Sequence, residues 1–255
     1  MVAIWGWGTL VPHPPDLLPQ IAVGLLAIAP NSRGELSLPL PQVHPLPPSL
    51  AQWQPNNSMD NYFSQVEPTP VGYLVWSEFP VQVWIQRPEN PDEDTGSTRR
   101  FRKWVEAVGS GVVEWRQYLP LEEVQSREKA DIIIEYAAPP WNPTFNRETG
   151  KFDIPRARSA QTNYKFYLSE DSPPILRHRM TIQISPGMSY DSTVAAIRHE
   201  MGHALGIWGH SLQETDALYF SQVRDPLPVS VRDVNTLKKV YQQPTSLGWS
   251  LEQVP

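Results

Sequence analysis

Three histidines and a glutamate stand close together in RHEMGHALGIWGHS, Arg198 to Ser211: His199 and His203 are four apart, Glu200 follows the first, and His210 lies four residues beyond Gly206. On a helix, residues four apart lie one turn above each other, so two imidazoles at this spacing can reach one metal ion. Glu200 is turned about a quarter of a circle from the pair. From there it is a poor ligand, but it can reach a water beside the ion and take its proton as the water attacks a carbonyl. Three protein ligands and one open position describe a catalytic zinc centre, whereas a fourth protein ligand closes a structural one. With this chain's frequencies of His and Glu, a chance H-E-x-x-H has a probability on the order of one in a hundred. The glycine and third histidine that follow lower it to on the order of one in tens of thousands, which favours chemistry over coincidence.

The helix that must carry these residues is predicted from SPGMSYDSTVAAIRHEMGHALG, with Asp191 or Ser192 as its N-cap and Gly206 as its end. Val194, Ile197, Met201 and Leu205 form an apolar stripe at helical spacing, and His199 and His203 fall on the opposite side. Such a helix is expected to lie between a core and a site. Gly206 can take the positive φ that ends a helix and turns the chain back toward the histidine face. Gly209 is expected to absorb any unusual φ in the return to His210.

Upstream, Val81, Val83 and Ile85 alternate with polar or partly polar residues and predict a half-buried strand. Phe101, Trp104, Val105, Val108, Val112 and Trp115 recur at helical spacing and predict a long amphipathic backing helix. ADIIIEYA predicts a central strand, TNYKFYL and RMTIQIS two further strands, and residues 138–160 a loop. Trp84, Trp104 and Trp115 are expected to pack in the core or on the sheet. The fold class expected is α+β: a twisted mixed sheet, two long helices and a C-terminal helix.

The 28 prolines crowd the first half of the chain, where LPLPQVHPLPPSL can form neither helix nor central strand. Residues 1–75 therefore read as leader and linker, with His13 and His44 as solvated bystanders, and residues 76–255 as the folded domain. Within the leader, IAVGLLAIAP has the apolar core and A-x-A ending of a degenerate secretory signal and supports an exported location. It is about half the roughly 20 residues a membrane-spanning helix needs, so no integral membrane segment is expected. A net charge of -6 argues against nucleic-acid partners. With no cysteine, disulfides, thiol chemistry and Cys-ligated zinc are excluded. Asn56, Asn57 and Ser58 form a glycosylation sequon.

The histidine segment resembles the metzincin metalloproteases, closest to the matrixin type of HExGHALGxxHS, with HEMGHALG and HS kept and IWG between them. DALYFSQV stands where matrixins carry a turn with a methionine before a tyrosine; here Leu218 takes the methionine's place beside Tyr219. PVSVRDVNTLKKVY resembles their last helix, with Ser230 and Asp233 as a capping-box variant and Val231, Val234, Leu237 and Tyr241 at helical spacing. The resemblance covers roughly residues 80–241. It implies a zinc endopeptidase whose substrate, a peptide or protein, lies extended along an edge strand. His199, His203 and His210 would hold one catalytic Zn2+, with Glu200 as general base and Tyr219 in a supporting role. The residue at Leu218 forms an apolar floor under the ligands, where leucine is close in volume to methionine. Bacterial members are usually exported, and a monomer is favoured.

Other assignments stay open. Leu218 and the extra residue before His210 also suit a catalytically inactive binding module. A carboxylate, Glu214 or Asp216, is an alternative third ligand. Matrixins often carry a second, structural zinc held by histidines upstream of the helix; here only His178 stands there, so the resemblance implies one zinc. Calcium is possible at Asp92, Glu93 and Asp94 but is not supported, since an exposed acidic run is more simply a solvated turn. Arg198, at the edge of the apolar stripe, is expected to snorkel or pair with an acid.

Overall fold

The computed structural model describes residues 38–54, 60–140, 144–146, 150–153, 158–221 and 226–251. The apolar segment at 21–30, His13 and the sequon lie outside them. Among the described residues seven strands form two sheets: β1 (Val81–Ile85), β2 (Leu121–Glu123), β3 (Ile132–Tyr136), β4 (Thr144–Asn146), β5 (Lys151–Asp153), β6 (Ala160–Leu168) and β7 (Leu176–Ile184). Four helices accompany them: α1 (Pro48–Gln52), α2 (Gly96–Arg116), α3 (Tyr190–Ala204) and α4 (Val231–Val240).

The main sheet runs β2-β1-β3-β7-β6, parallel from β2 to β7, with β6 antiparallel to β7 at the edge. This is the α+β class with a mixed sheet. Ile132 and Ile134 are fully buried and Ile133 nearly so, as a strand covered on both faces requires. On β1 and β7 burial alternates strictly, so one face of the sheet carries the core, while the other is half-buried and mixes Trp84 and Ile133 with polar side chains such as Gln82, Thr181 and Gln183.

The backing helix α2 buries Trp104, Val108, Val112 and Trp115 as its spacing predicts. It packs on α3 through apolar contact and through Arg198, whose guanidinium forks onto Glu114 at 2.6 and 2.7 Å while Trp115 Nε1 donates to the Arg198 carbonyl at 2.9 Å. Arg198 thus pairs with an acid rather than reaching for solvent.

Several expectations are corrected. The 138–160 loop contains the β4–β5 ladder. The N-cap of α3 is Ser189, whose hydroxyl accepts from the Ser192 amide at 3.1 Å, and not Asp191 or Ser192. Val231 is about half exposed, leaving Val234, Leu237 and Tyr241 as the buried side of α4.

The largest correction concerns residues 38–75, expected as linker. Leu50, Tyr62, Val66, Val71, Leu74 and Val75 are all buried in the common core. Gln42 pairs with Thr245, and His44 stacks on Trp249 at 4.4 Å and donates from Nε2 to the Leu247 carbonyl at 2.8 Å. Proline forbids a central strand or a helix interior, but it does not forbid an extended strap that lays apolar side chains against a core. At α1 it even begins the helix, where its missing N–H costs nothing.

Candidate metal centre

Helix α3 ends where its sequence says it should. Gly206 has φ of +124°, and a Cβ there would meet the Leu74 carbonyl oxygen at 2.3 Å, so both the turn and the approach of the 38–75 strap require glycine. The chain then doubles back through Ile207, Trp208 and Gly209 to His210. His199, His203 and His210 converge, with their ligand nitrogens within 4.8 Å of one another, so the group could hold a metal ion.

The tautomers follow from the partners. His199 Nδ1 lies 2.9 Å from the Ala217 carbonyl and His203 Nδ1 lies 2.8 Å from the Ile207 carbonyl. A carbonyl can only accept, so both Nδ1 atoms carry the proton and both Nε2 atoms present lone pairs. Those two Nε2 atoms stand 3.1 Å apart. With both lone pairs facing, the contact is not a hydrogen bond between neutral rings. It matches the about 3.3 Å expected of two nitrogens held tetrahedrally on one ion at about 2.05 Å. His210 places its ring 4.8 Å from His203 and leaves its buried Nδ1 without a hydrogen-bond partner among the described residues.

Burial holds all three rings neutral, the state in which imidazole binds metals. Desolvation takes His203 down to about 4 and His210 to about 3, with the neighbouring His203 adding to the effect on His210. His199 is lowered well below its ordinary value, first by burial and then by the other two histidines.

Glu200 is buried, and its Oε2 accepts from Thr162 Oγ1 on β6 at 2.6 Å. Burial raises its carboxyl to about 7, with the Thr162 hydrogen bond pulling the other way. Any cation held by the three histidines would lower it again.

The turn beneath the histidines is fixed from α4. Ser230 and Asp233 form the expected capping box, and Asp233 also accepts from the Ala217 amide at 2.9 Å and from the Tyr62 hydroxyl at 2.5 Å. Asp233 therefore holds the turn whose Ala217 carbonyl orients His199. Leu218 is fully buried below α3; a Cβ on Gly202 would meet its Cδ2 at 2.4 Å, so the glycine of HEMGH is what admits this floor. Tyr219 is half-buried against Phe220.

The alternative third ligands are not in the group. Asp216 is buried, with its oxygens accepting from Ser211, from Ser230 at 2.7 Å and from Arg232 at 3.0 Å, and Glu214 is exposed. The acidic turn at Asp92, Glu93 and Asp94 is exposed, and Asp94 pairs with Arg99 at 2.7 Å.

Three contributors escaped sequence reasoning. Asp233 was visible only as a cap. Thr162 carries no local signal, since its partner is 38 residues away. The third, at residues 65–67, lies in the segment expected as linker. No protein-family model matches the sequence, and no curated protein is similar enough to it to count as a match. Among the described residues no helix is long and apolar enough to cross a membrane.

Proposed function

We propose that this chain is a zinc-dependent endopeptidase of the metzincin type, matrixin-like, with His199, His203 and His210 as the metal ligands. The observation that carries the reading is the pair of facing Nε2 lone pairs at 3.1 Å, fixed by two backbone carbonyls, with a third histidine beside them. Carbonyl-oriented imidazoles on one helix face serve a metal better than they serve a core, where lone pairs this close repel.

A zinc ion in this group supplies Lewis acidity toward a water and toward a peptide carbonyl. Glu200, one residue from a ligand and held by Thr162, takes a proton from the attacking water as its oxygen bonds to the carbonyl carbon. It returns the proton to the nitrogen as the C–N bond breaks, so atoms and charge balance over the cycle. The Thr162 hydroxyl, donating to Oε2, fixes the orientation of the carboxylate beside β6.

Among the described residues strand β6 pairs only with β7 in the main sheet, so its outer edge could take an extended peptide by backbone hydrogen bonding. Because β6 also carries Thr162, a peptide on that edge runs past the carboxylate. Substitution Glu200→Ala is expected to lower peptide hydrolysis at least about 100-fold while zinc stays bound. Undiminished hydrolysis in that variant, measured beside its metal content, would overturn the mechanism. Zinc-loaded wild-type protein that cleaves no peptide in a mixed-sequence library would point instead to a binding module.

A further inference from the structure

The loop Ile207–Gly209 does two things for the centre: its Ile207 carbonyl orients His203, and its end delivers His210. That loop is one residue longer than the matrixin-like spacing; on the α3 side it is held by the buried Ile207, whose amide donates to the Gly202 carbonyl at 3.0 Å, and by Trp208 against Tyr164. It is held from the other side by residues 65–67. Val66 pairs with Gly209 in an antiparallel bridge, and the Glu67 amide donates to the Trp208 carbonyl at 2.9 Å.

Gly209 is glycine for this reason. It is not among the residues of positive φ, so the expectation that it absorbs an unusual φ is replaced by a contact. A Cβ there would stand 2.0 Å from the Gln65 carbonyl oxygen and 3.0 Å from Val66 Cα, far inside van der Waals distance. The strap is in turn anchored close by: the Tyr62 amide donates to Thr236 Oγ1 at 3.0 Å, Asp60 pairs with Arg232, and the Asn235 side chain donates to the Asp60 carbonyl at 2.8 Å. Thr236, Arg232 and Asn235 all lie on α4, the helix that also fixes the Ala217 turn under His199.

We propose that the Gln65–Glu67 backbone is a positioning segment for the third ligand, and that without its bridge to Trp208–Gly209 the centre holds metal through His199 and His203 alone. The inference rests on the metal reading above. It explains how a return one residue too long still brings His210 to the group: the slack is taken up by pairing with a strap that precedes every strand of the main sheet in sequence.

Two lesions break the bridge from opposite sides and touch no ligand. Glu67→Pro deletes the donating amide, and Val66, at φ -92° and ψ 124°, already has the extended geometry that a following proline requires. Gly209→Ala inserts the forbidden Cβ. Glu67→Gln keeps the amide and serves as the conservative variant. Val112→Ala, in the core of α2, lowers stability elsewhere and controls for a general loss of fold.

The purified full chain is titrated with Co2+, whose visible absorption reports coordination number, and with Zn2+ against a competing chelator. Glu67→Pro and Gly209→Ala are expected to weaken zinc binding about 10- to 100-fold and to change the cobalt spectrum, with Glu67→Gln and Val112→Ala matching wild type. Wild-type affinity and spectrum in Glu67→Pro would overturn the proposal, as would an equal loss in Glu67→Gln or Val112→Ala. A Gly209→Ala chain that does not fold leaves Glu67→Pro to decide. Wild-type protein that binds no metal would overturn the metal reading itself, a result distinct from unchanged variants beside a metal-binding wild type.

Discussion

His203 and His178 are both buried imidazoles, and among the described residues only His203 belongs to a group that could hold a metal ion. Burial depresses both, His203 to about 4 and His178 to about 3, so a lowered pKa does not distinguish them. What differs is direction. His203 has its Nδ1 fixed by the Ile207 carbonyl and its Nε2 turned toward a second lone pair. His178, on β7, stacks on Trp76 with ring centroids 3.8 Å apart and leaves its Nε2 without a partner among the described residues. It lines a cavity of about 390 Å³ with Gln82, Asp131, Arg177 and Arg179, and among the described residues it belongs to no group of three side chains that could hold a metal ion. Neutral burial is a condition for metal binding; convergence of lone pairs makes the site.

The largest test of that difference is metal content. His203→Ala is expected to take bound zinc from about one equivalent to about a tenth or less, by elemental analysis after gel filtration. His178→Phe, which preserves a ring against Trp76, is expected to keep the full equivalent. Equal losses in the two variants would erase the distinction.

Chelation should reveal it next. With zinc at about 100 times its dissociation constant, removal costs about 2.7 kcal/mol of stability, or roughly 5–10 °C in Tm for a domain this size. His178→Phe should show the same drop and His203→Ala almost none.

In metal-free protein His178 adds its own share to a pH dependence that His199, His203 and His210 also carry. The folded pKa of His178 lies below the unfolded value of about 6.5, so the unfolded chain binds the extra proton between the two. Stability present above pH 6.5 is therefore lost as pH falls toward about 3. The loss approaches about 1.4 kcal/mol per pH unit, and denaturant melts of His178→Phe at pH 7 and pH 5 should show a correspondingly flatter dependence. A dependence as steep as wild type would mean that His178 is protonated in the folded chain.

The smallest effect is expected under the ligands. Leu218→Met changes shape more than volume and should cost less than about 1.5 kcal/mol, with metal content unchanged. A large loss of metal there would give the floor a role beyond packing.

Helices and central strands were legible because their signals are periodic and local. Trp104, Val108, Val112 and Trp115 share one face of α2 whatever they meet, and the isoleucines of β3 need two covered faces in any fold. Edge and strap elements were not. Leu121–Glu123 is too short to show a period. The 38–75 segment reads as linker because proline content reports what a chain cannot hydrogen-bond, and says nothing of what its side chains can cover. The N-cap of α3 moved to Ser189 because three candidate caps lie within four residues, and only backbone geometry chooses among them.

The candidate centre divides in the same way. By itself the sequence determined that His199 and His203 share a helix face, that Glu200 lies beside them, and that a glycine ends the helix; helical geometry fixes these within about two turns of chain. The tertiary structure alone decided which third residue joins them. Asp216 is near in sequence but is occupied by Ser211, Ser230 and Arg232, and His210 reaches the group on a loop paired to Val66 and Glu67. The pairing that holds the His210 loop joins segments more than a hundred residues apart, which no local pattern encodes.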